Sequence, residues 1–596
     1  QPSSEGAVLM SDEKPIQYRT LQEMPETIIS EASMLWNKTG TWRYLRPKYQ
    51  NQVPPCNQGC PAGNDVEGLM RLLEKGELKK ALHLIREESP FPAVCGRVCY
   101  HPCETVCNRS RFDDPIAIHT LERIAGDQAL RIIAPEKIRP DSGKSVAIIG
   151  AGPSGLTAAY HLARMGHQPT IYEALEKPGG LLKYGIPEYR LPRAILNAEI
   201  DNIVSNGVEI RCGVRVGADI PWSDLAKFDA VFISIGVHRS RRLGIPSENA
   251  TGVLAGLDYL KQVSDGQPPD LGTKTIVIGG GNSAIDSARC ALRLGSQVSI
   301  CYQRSRNEMP AFAEEVNEAL KEGVQISFLT QPVRILTRKN RVTGVQFRKT
   351  KLGAPDASGR RRPEPVPDSE FTIPTDSVIT AIGESTDLDW LPPEIECTGN
   401  MIADNPWGKT SQKNVFAGGD AALSVHNVAA AIGSGKTAAC AIDAFFNDLD
   451  LETIKSRISI GETGTLSVSR YLQSGNAHLQ QADSGKTAVF ENLNTHYFTK
   501  AARQKIKTLG IARRMTGFDE VNSGLDLDSA VLEAKRCFHC GVCTQCDNCY
   551  MFCPDIAVLK NKSGENGYQI ALDYCKGCGI CVNECPRAAM IMEEEQ

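Results

Sequence analysis

Apolar positions along this chain follow two rhythms. Between residues 141 and 450, short apolar runs that end in glycine are followed by stretches with helical spacing. Ser145–Ile149 leads into Gly150 and then Leu156–Met165, with Gln168–Tyr172 next; Lys274–Ile278 leads into Gly279 and a second helical stretch, with Gln297–Tyr302 next. Such strand–turn–helix repeats predict an α/β region built on parallel sheet. Before it, residues 56–140 alternate Cys-rich loops with helical stretches such as Val66–Leu84, predicting a helical domain. Residues 1–55 show little periodicity and read as an arm. Residues 451–530 are polar, with Gly, Ser and Asn clusters, and read as a linker that partly packs. Residues 531–596 form a short, Cys-dense module. With 596 residues the chain is too long for one core, so several domains are expected.

Composition narrows the partners. With 41% apolar residues, 23% charged residues and a formal net charge of −4, the chain has no basic excess that would favour nucleic acid. No apolar run approaches a membrane span, and Gln1–Arg43 carries no secretory apolar core. The expectation is a cytoplasmic protein without direct membrane insertion. The 21 cysteines are the outlying number. Sixteen fall in two dense groups, Cys56–Cys107 and Cys537–Cys585, while Cys212, Cys290, Cys301, Cys397 and Cys440 are scattered. Dense CxxC arrays without an export signal point to metal thiolates rather than disulfides. The scattered five read as small buried apolar residues.

Two Gly-rich turns carry nucleotide chemistry. In Gly150-Ala151-Gly152-Pro153-Ser154-Gly155, Gly150 permits the tight turn, Gly152 lets a pyrophosphate approach the backbone, and Gly155 lets helix and strand pack closely. The following strand ends at Glu173, the acid expected to hold a ribose hydroxyl. The second turn, Gly279-Gly280-Gly281-Asn282-Ser283-Ala284, repeats the plan with Ala284 in place of the third glycine. Its second strand ends at Tyr302-Gln303-Arg304-Ser305-Arg306, with no terminal acid to favour NAD. Arg304 and Arg306 could instead pair a 2′-phosphate, which favours NADP, though each also reads as a solvated surface charge.

The C-terminal array is Cys537-x2-Cys540-x2-Cys543-x2-Cys546-x2-Cys549-x3-Cys553-Pro554, then Cys575-x2-Cys578-x2-Cys581-x3-Cys585-Pro586. In a two-cluster bacterial ferredoxin each run gives three cysteines to one [4Fe-4S] cluster, and its fourth crosses to the other. Applied here, Cys543, Cys546, Cys549 and Cys585 hold one cluster, and Cys575, Cys578, Cys581 and Cys553 hold the second. A zinc ribbon is the competing reading, and the repeated Cys-Pro argues against it.

Beyond the turns, the chain reads Lys177-Pro178-Gly179-Gly180-Leu181 and Tyr184-Gly185-Ile186-Pro187-Glu188-Tyr189-Arg190-Leu191-Pro192. Later come Asn414-Val415-Phe416-Ala417-Gly418-Gly419-Asp420, Val428–Gly435, and Ala381-Ile382-Gly383. Over most of residues 55–450 these segments resemble the two-dinucleotide flavoprotein family. Members include the small subunit of glutamate synthase, the N-terminal half of dihydropyrimidine dehydrogenase and the large subunit of NADH-dependent ferredoxin–NADP reductase. The resemblance implies FAD at the first turn, touched by Gly180, Leu181, Arg190, Gly419, Asp420 and Val428. It implies NADP or NAD at the second, with Asp286 completing the pattern and Gly383 on the return crossing. In the family two arginines often stand where this chain has Gln303-Arg304, and that departure removes one phosphate partner. Residues 141–450 contain no CxxC like that of the related disulfide reductases, so electrons must leave by another route.

The N-terminal array, Cys56-x3-Cys60-Pro61 and Cys95-x3-Cys99-x3-Cys103-x3-Cys107, resembles the helical iron–sulfur domain that precedes the flavin domain in this family. The family's opening Glu-Ala-x-Arg-Cys-x2-Cys-Gly is missing near residue 50. It stands instead at Glu533-Ala534-Lys535-Arg536-Cys537-x2-Cys540-Gly541. One reading is relocation: Cys60, Cys99 and Cys103 with Glu122 hold one cluster, Cys56 and Cys107 with Cys537 and Cys540 hold another, and Cys95 is spare. The other is a single N-terminal cluster, with Cys537 and Cys540 idle or in a small zinc site. Glu122 also reads as an ordinary helical surface acid.

The expected fold is multidomain α/β: a helical iron–sulfur domain (56–140), an FAD domain in two parts (141–262 and 384–450), an inserted NAD(P) domain (263–383) and a C-terminal α+β ferredoxin-like domain (531–596). The expected function is electron transfer between NAD(P)H, FAD and [4Fe-4S] clusters, to or from ferredoxin or a larger oxidoreductase in a hetero-oligomer. A flavin-based bifurcating subunit and a scaffold with degenerate sites are the alternatives.

Overall fold

A computed structural model describes residues 19–24, 26, 38–129, 138–356, 359–473, 485–560 and 567–595. The chain forms two compact units. The larger comprises Pro54–Gln481 and Lys500–Cys537; the smaller gathers Gln1–Val53, Ala482–Thr499 and Phe538–Gln596.

The larger unit is built on two five-stranded parallel sheets. The first runs Val415–Ala417, Ala230–Ile233, Ser145–Ile149, Gln168–Glu173, Glu209–Cys212. The second runs Gln325–Ser327, Gln297–Cys301, Lys274–Gly279, Ser377–Ala381, Val253–Ala255. The chain leaves the first sheet after Ile233 and re-enters at Val415, so the second domain is an insertion. Its two crossing strands, Arg239–Ser240 and Glu384–Ser385, pair antiparallel. Strands Thr330–Arg338, Arg341–Pro355, Arg361–Pro365 and Phe371–Pro374 add an antiparallel sheet within the insertion.

Two stretches fall on a different side of a boundary than the sequence suggests. Residues 253–262, read with the first domain, belong to the insertion: Val253–Ala255 pairs with Ser377–Ala381, and Gly256–Ser264 is the helix after it. A three-residue, half-buried strand carries too little apolar pattern to be heard in sequence. Residues 451–473, read as part of a linker that partly packs, are packed structure. Leu451, Ile458, Leu466, Val468 and Tyr471 join the main core, and the Tyr471 hydroxyl donates to Asp443 at 2.6 Å. Residues 500–537 are tied in largely by charge: Glu520 meets Arg97 at 2.8 Å and Arg123 at 3.0 Å, and Glu533 accepts from the Ala117 amide at 2.9 Å. A segment docked by ion pairs looks polar, and so reads as linker.

Lys436 is fully buried in the helix Val428–Phe446, 2.9 Å from Glu88 and 2.6 Å from the Ala62 carbonyl. Removing one partner of a buried pair strands the other charge. Lys436→Met is expected to cost about 3–5 kcal/mol in chemical denaturation, and Glu88→Gln in the same chain to recover part of it.

In the smaller unit, strand Val558–Lys560 pairs antiparallel with Tyr568–Ile570, and short helices Asn548–Met551 and Ile580–Asn583 carry Cys549 and Cys581 within the two cysteine runs. The final strand, Met590–Glu594, pairs with Leu45–Tyr49. Those N-terminal residues read as an arm, yet they complete a sheet of the C-terminal module, and Tyr49 stacks on Tyr568 at 5.9 Å between centroids. A pairing across more than 500 residues leaves no local signature.

Candidate functional site

Both Gly-rich turns open onto one cavity of about 1360 Å³. Gly150, Gly152, Pro153, Ser154, Glu173, Gly180 and Leu181 line it from one side, with Gly419, Asp420 and Val428. Gly279, Gly281, Asn282, Ser283 and Gly383 line it from the other. Each turn feeds a twelve-residue helix, Pro153–Arg164 or Asn282–Arg293, whose N-cap is a glycine with no side-chain cap. Uncapped first-turn amides leave anion-binding donors facing the cavity. Gly155 and Ala284 stand back from the cavity. A Cβ on Gly155 would lie 2.1 Å from the Gly150 carbonyl oxygen, so its role is close packing of helix on strand. Ala284 is fully buried, at the equivalent place in the second turn.

The first side has polar atoms waiting for a ligand. Among the described residues, Ser154 Oγ and Asp420 Oδ1 are buried without a hydrogen-bond partner. A Cβ on Gly152 would meet nothing within 4 Å, so the backbone is bare toward the cavity. The Glu173 carboxylate is held by the Ala151 amide at 2.7 Å and the Leu175 amide at 2.8 Å. Burial pushes its carboxyl up, against those two donors. These features fit the pyrophosphate, ribose and ribityl groups of a dinucleotide.

The second side differs from the sequence reading at its arginines. Arg304 lines the cavity and is ion-paired to Asp356 at 2.6 Å. Arg306 does not line it; its guanidinium donates to Asn317 at 3.0 Å. Arg190 lines the cavity, but its fork is held by Asp286 at 2.7 Å and Glu315 at 3.2 Å, which ties the first domain to the inserted one. Glu384, which no motif pointed to, also lines the cavity; burial pushes its carboxyl up while a hydrogen bond with Ser283 opposes. Its only sequence signal is its place after Gly383.

The helical domain reaches this cavity through Val98, the residue before Cys99. Cys60, Cys99, Cys103 and Glu122 are gathered. Burial raises the Cys99 thiol, and the nearby Glu122 and Cys60 add to the rise; Cys103 is raised by burial and then by Cys60 and Cys99. Glu122 is not a surface acid. It is 8% exposed, accepts from Asn64 at 3.0 Å, and is pushed up to about 8 by burial and by the Glu199 carboxylate. Buried Cys95 adjoins the same group: burial raises its thiol, followed by Glu122 and Cys99. Cys56, Cys107 and Cys537 all pack against the main core of the larger unit. Arg109 donates to the Arg536 carbonyl, and Arg536 pairs with Asp113 at 3.1 Å, so the Cys537 segment is docked beside the Cys107 loop. Cys540 belongs to the smaller unit.

In the smaller unit the cysteines sort into two sets. Burial raises the Cys549 thiol, with Cys543, Cys585 and Cys546 as its charged neighbours. Burial likewise pushes Cys581 up to about 12, and Cys575, Cys553, Cys578 and then Cys549 add to the rise. These are thiols, not disulfides. Soft thiolates in fours suit iron–sulfur centres.

Family models match in three places: pyridine nucleotide-disulphide oxidoreductase over residues 144–435, dihydropyrimidine dehydrogenase domain II, 4Fe-4S cluster, over 49–132, and 4Fe-4S binding domain over 568–591. The NADPH-Fe(3+) oxidoreductase subunit beta of Geobacter sulfurreducens is 38% identical over 82% of this chain and 75% of its own length. The glutamate synthase [NADPH] small chain of Escherichia coli is 35% identical over 65% of this chain and 87% of its own. The chain belongs to the glutamate synthase small chain family of iron–sulfur flavoproteins. A further member, the NADP(+)-dependent formate dehydrogenase subunit beta of Moorella thermoacetica, is 37% identical over 82% of this chain and 70% of its own.

As a member of this family the chain is an NAD(P)H-dependent oxidoreductase with FAD, nicotinamide and [4Fe-4S] sites, moving electrons among them. Several relatives are subunits of larger oxidoreductases. No helix among the described residues is long and apolar enough to cross a membrane.

Proposed function

We propose that this chain is the NADPH-oxidising electron-transfer subunit of a cytoplasmic multi-subunit oxidoreductase, exchanging electrons with a ferredoxin or an iron–sulfur partner subunit. The observation that carries the reading is the single cavity shared by the two Gly-rich turns and touched by Val98 beside Cys99. When bound, the flavin supplies hydride exchange with nicotinamide and one-electron exchange with the clusters.

The chain's own residues do the rest. The helix that starts at Gly152 presents amides to the flavin pyrophosphate, Glu173 to a ribose, and Asp420 and Ser154 to the ribityl–phosphate region. The helix that starts at Gly281 does the same for the nicotinamide dinucleotide, and Arg304 receives the 2′-phosphate. The pairing of Arg190 with Asp286 ties the two domains together so that both turns face one cavity. Cys60, Cys99, Cys103 and Glu122 hold the cluster nearest the cavity. Cys56, Cys107 and Cys537 supply thiolates to a second. The eight ferredoxin-type cysteines hold the last two in the crossed pattern. Thiolate ligand sets of this density fit a reducing compartment.

Anaerobic titration with NADPH tests the reading. Flavin absorbance is expected to bleach and cluster electron-paramagnetic-resonance signals to appear, with reduction passing on to a co-purified partner or added ferredoxin. Flavin bleaching with the clusters still oxidised would defeat it. Reduction of a low-potential acceptor only in the presence of a high-potential one would identify bifurcation instead.

A further inference from the structure

We infer that Trp390 is the aromatic wall of the FAD adenine pocket, carried there by the loop that returns from the inserted domain. The inference rests on the placement of FAD at the first Gly-rich turn and goes beyond it by naming what recognises the far end of that cofactor.

In a Rossmann-type site the acid that ends the second strand takes the adenosine ribose, so the adenine lies just beyond Glu173. Two stretches of backbone run side by side there. The Val214 amide donates to the Glu173 carbonyl at 2.9 Å, and the Gly213 amide to the Leu175 carbonyl at 2.9 Å. Glu173, Ala174, Leu175, Val214 and Val216 all line the cavity, an apolar surface with one carboxylate at its edge. Gly217 comes next in the chain. A Cβ on it would lie 2.9 Å from Trp390 Cβ and 3.0 Å from Trp390 Cε3. Trp390 therefore packs directly on the bare Gly217 backbone, beside Val216, and it lines the same cavity.

The indole is held from several sides. Its Nε1 donates to the Asp387 carbonyl at 3.0 Å. The Trp222 ring lies 6.2 Å away, tilted by 47°. Leu388 and Leu391, on either side of it in sequence, pack against the core that contains Val216 and Ile233. The loop is also clipped to the outgoing strand, because Arg239 meets Asp387 at 2.9 Å and Asp389 at 3.0 Å. With its one N–H satisfied inside the loop, the indole offers the cavity only aromatic surface. Of the parts of FAD, the pyrophosphate and ribityl chain are polar, and hydride exchange requires the isoalloxazine to face the second turn. The adenine is the part left to meet an apolar, aromatic wall beside the ribose acid. Aromatic side chains stack on purines through dispersion and ring electrostatics, without any hydrogen bond.

Flavin exchange on the intact holoenzyme tests this. The full chain is equilibrated with an excess of FAD and FMN in known proportion, and the bound flavins are released with acid and separated. FMN lacks the adenosine half, so the bound ratio reads adenosine recognition, and a general loosening of the fold cancels from it. Wild type is expected to favour FAD. Trp390→Ala should lower the preference for FAD over FMN about tenfold to a hundredfold, the effect of losing one base–aromatic stack. Trp390→Phe should restore most of it. An alanine variant with the wild-type preference overturns the inference, whatever its total flavin content, and leaves FAD at the first turn standing. So does a phenylalanine variant that is no better than alanine. A wild type that takes FMN as readily as FAD overturns both, since no adenosine pocket would then lie beyond Glu173.

Discussion

Gly152→Val is expected to yield a folded protein that keeps its iron and carries almost no flavin. Gly152 has φ −79° and ψ −179°, a conformation any residue adopts. Its Cβ position is open, with no atom within 4 Å. The valine therefore costs the empty fold little. It fills the space through which a pyrophosphate must approach the backbone and first-turn amides. Flavin occupancy should fall below about 5%, and NADPH-driven reduction of the clusters about a thousandfold or more, as a loss of roughly 4 kcal/mol in cofactor binding implies. Acid-released FAD fluorescence, colorimetric iron and the melting temperature read the three parts separately. Gly155→Val is the contrasting case: its Cβ lies 2.1 Å from the Gly150 carbonyl oxygen and 2.6 Å from Ser234 Oγ. That variant should lose the fold of the domain along with the flavin. If Gly152→Val retains flavin at the wild-type level, the dinucleotide does not bind over this turn.

The second large effect concerns Cys537, in the larger unit. Replacing it with alanine should remove one cluster, about four iron atoms of sixteen if the chain holds four [4Fe-4S] centres. The segment around Cys537 is anchored in the larger unit independently of any metal. Arg536 is 5% exposed and pairs with Glu533 at 2.6 Å as well as with Asp113. The loss should therefore be confined to one centre, and the flavin should still bleach with NADPH. Iron at the wild-type count would show that Cys537 is not a ligand, and the N-terminal domain would then hold a single cluster.

Much of the site was legible because its chemistry depends on local spacing. Gly150, Gly152 and Gly155 announce a pyrophosphate turn through backbone geometry alone. The CxxC runs point to cluster ligands because that spacing brings several thiolates of one loop to a single centre. Less legible was the fate of single charged side chains. The sequence offers both Arg304 and Arg306 as phosphate partners, yet one lines the cavity and the other bonds Asn317. Glu122 reads as a ligand with a surface acid as the alternative, and its burial beside Cys60 and Cys99 was invisible from helical periodicity.

By itself the sequence determined that this protein pairs two dinucleotide turns with thiolate arrays at both ends, since those signals arise within a few residues of backbone and are independent of what packs around them. The tertiary structure alone decided that both turns face one cavity, that Arg190 is spent on Asp286, that Leu45–Tyr49 completes the C-terminal sheet, and that residues 451–473 are core. Those outcomes rest on partners hundreds of residues apart, brought together by burial and ion pairing, and a contact between distant segments leaves no periodicity in either one.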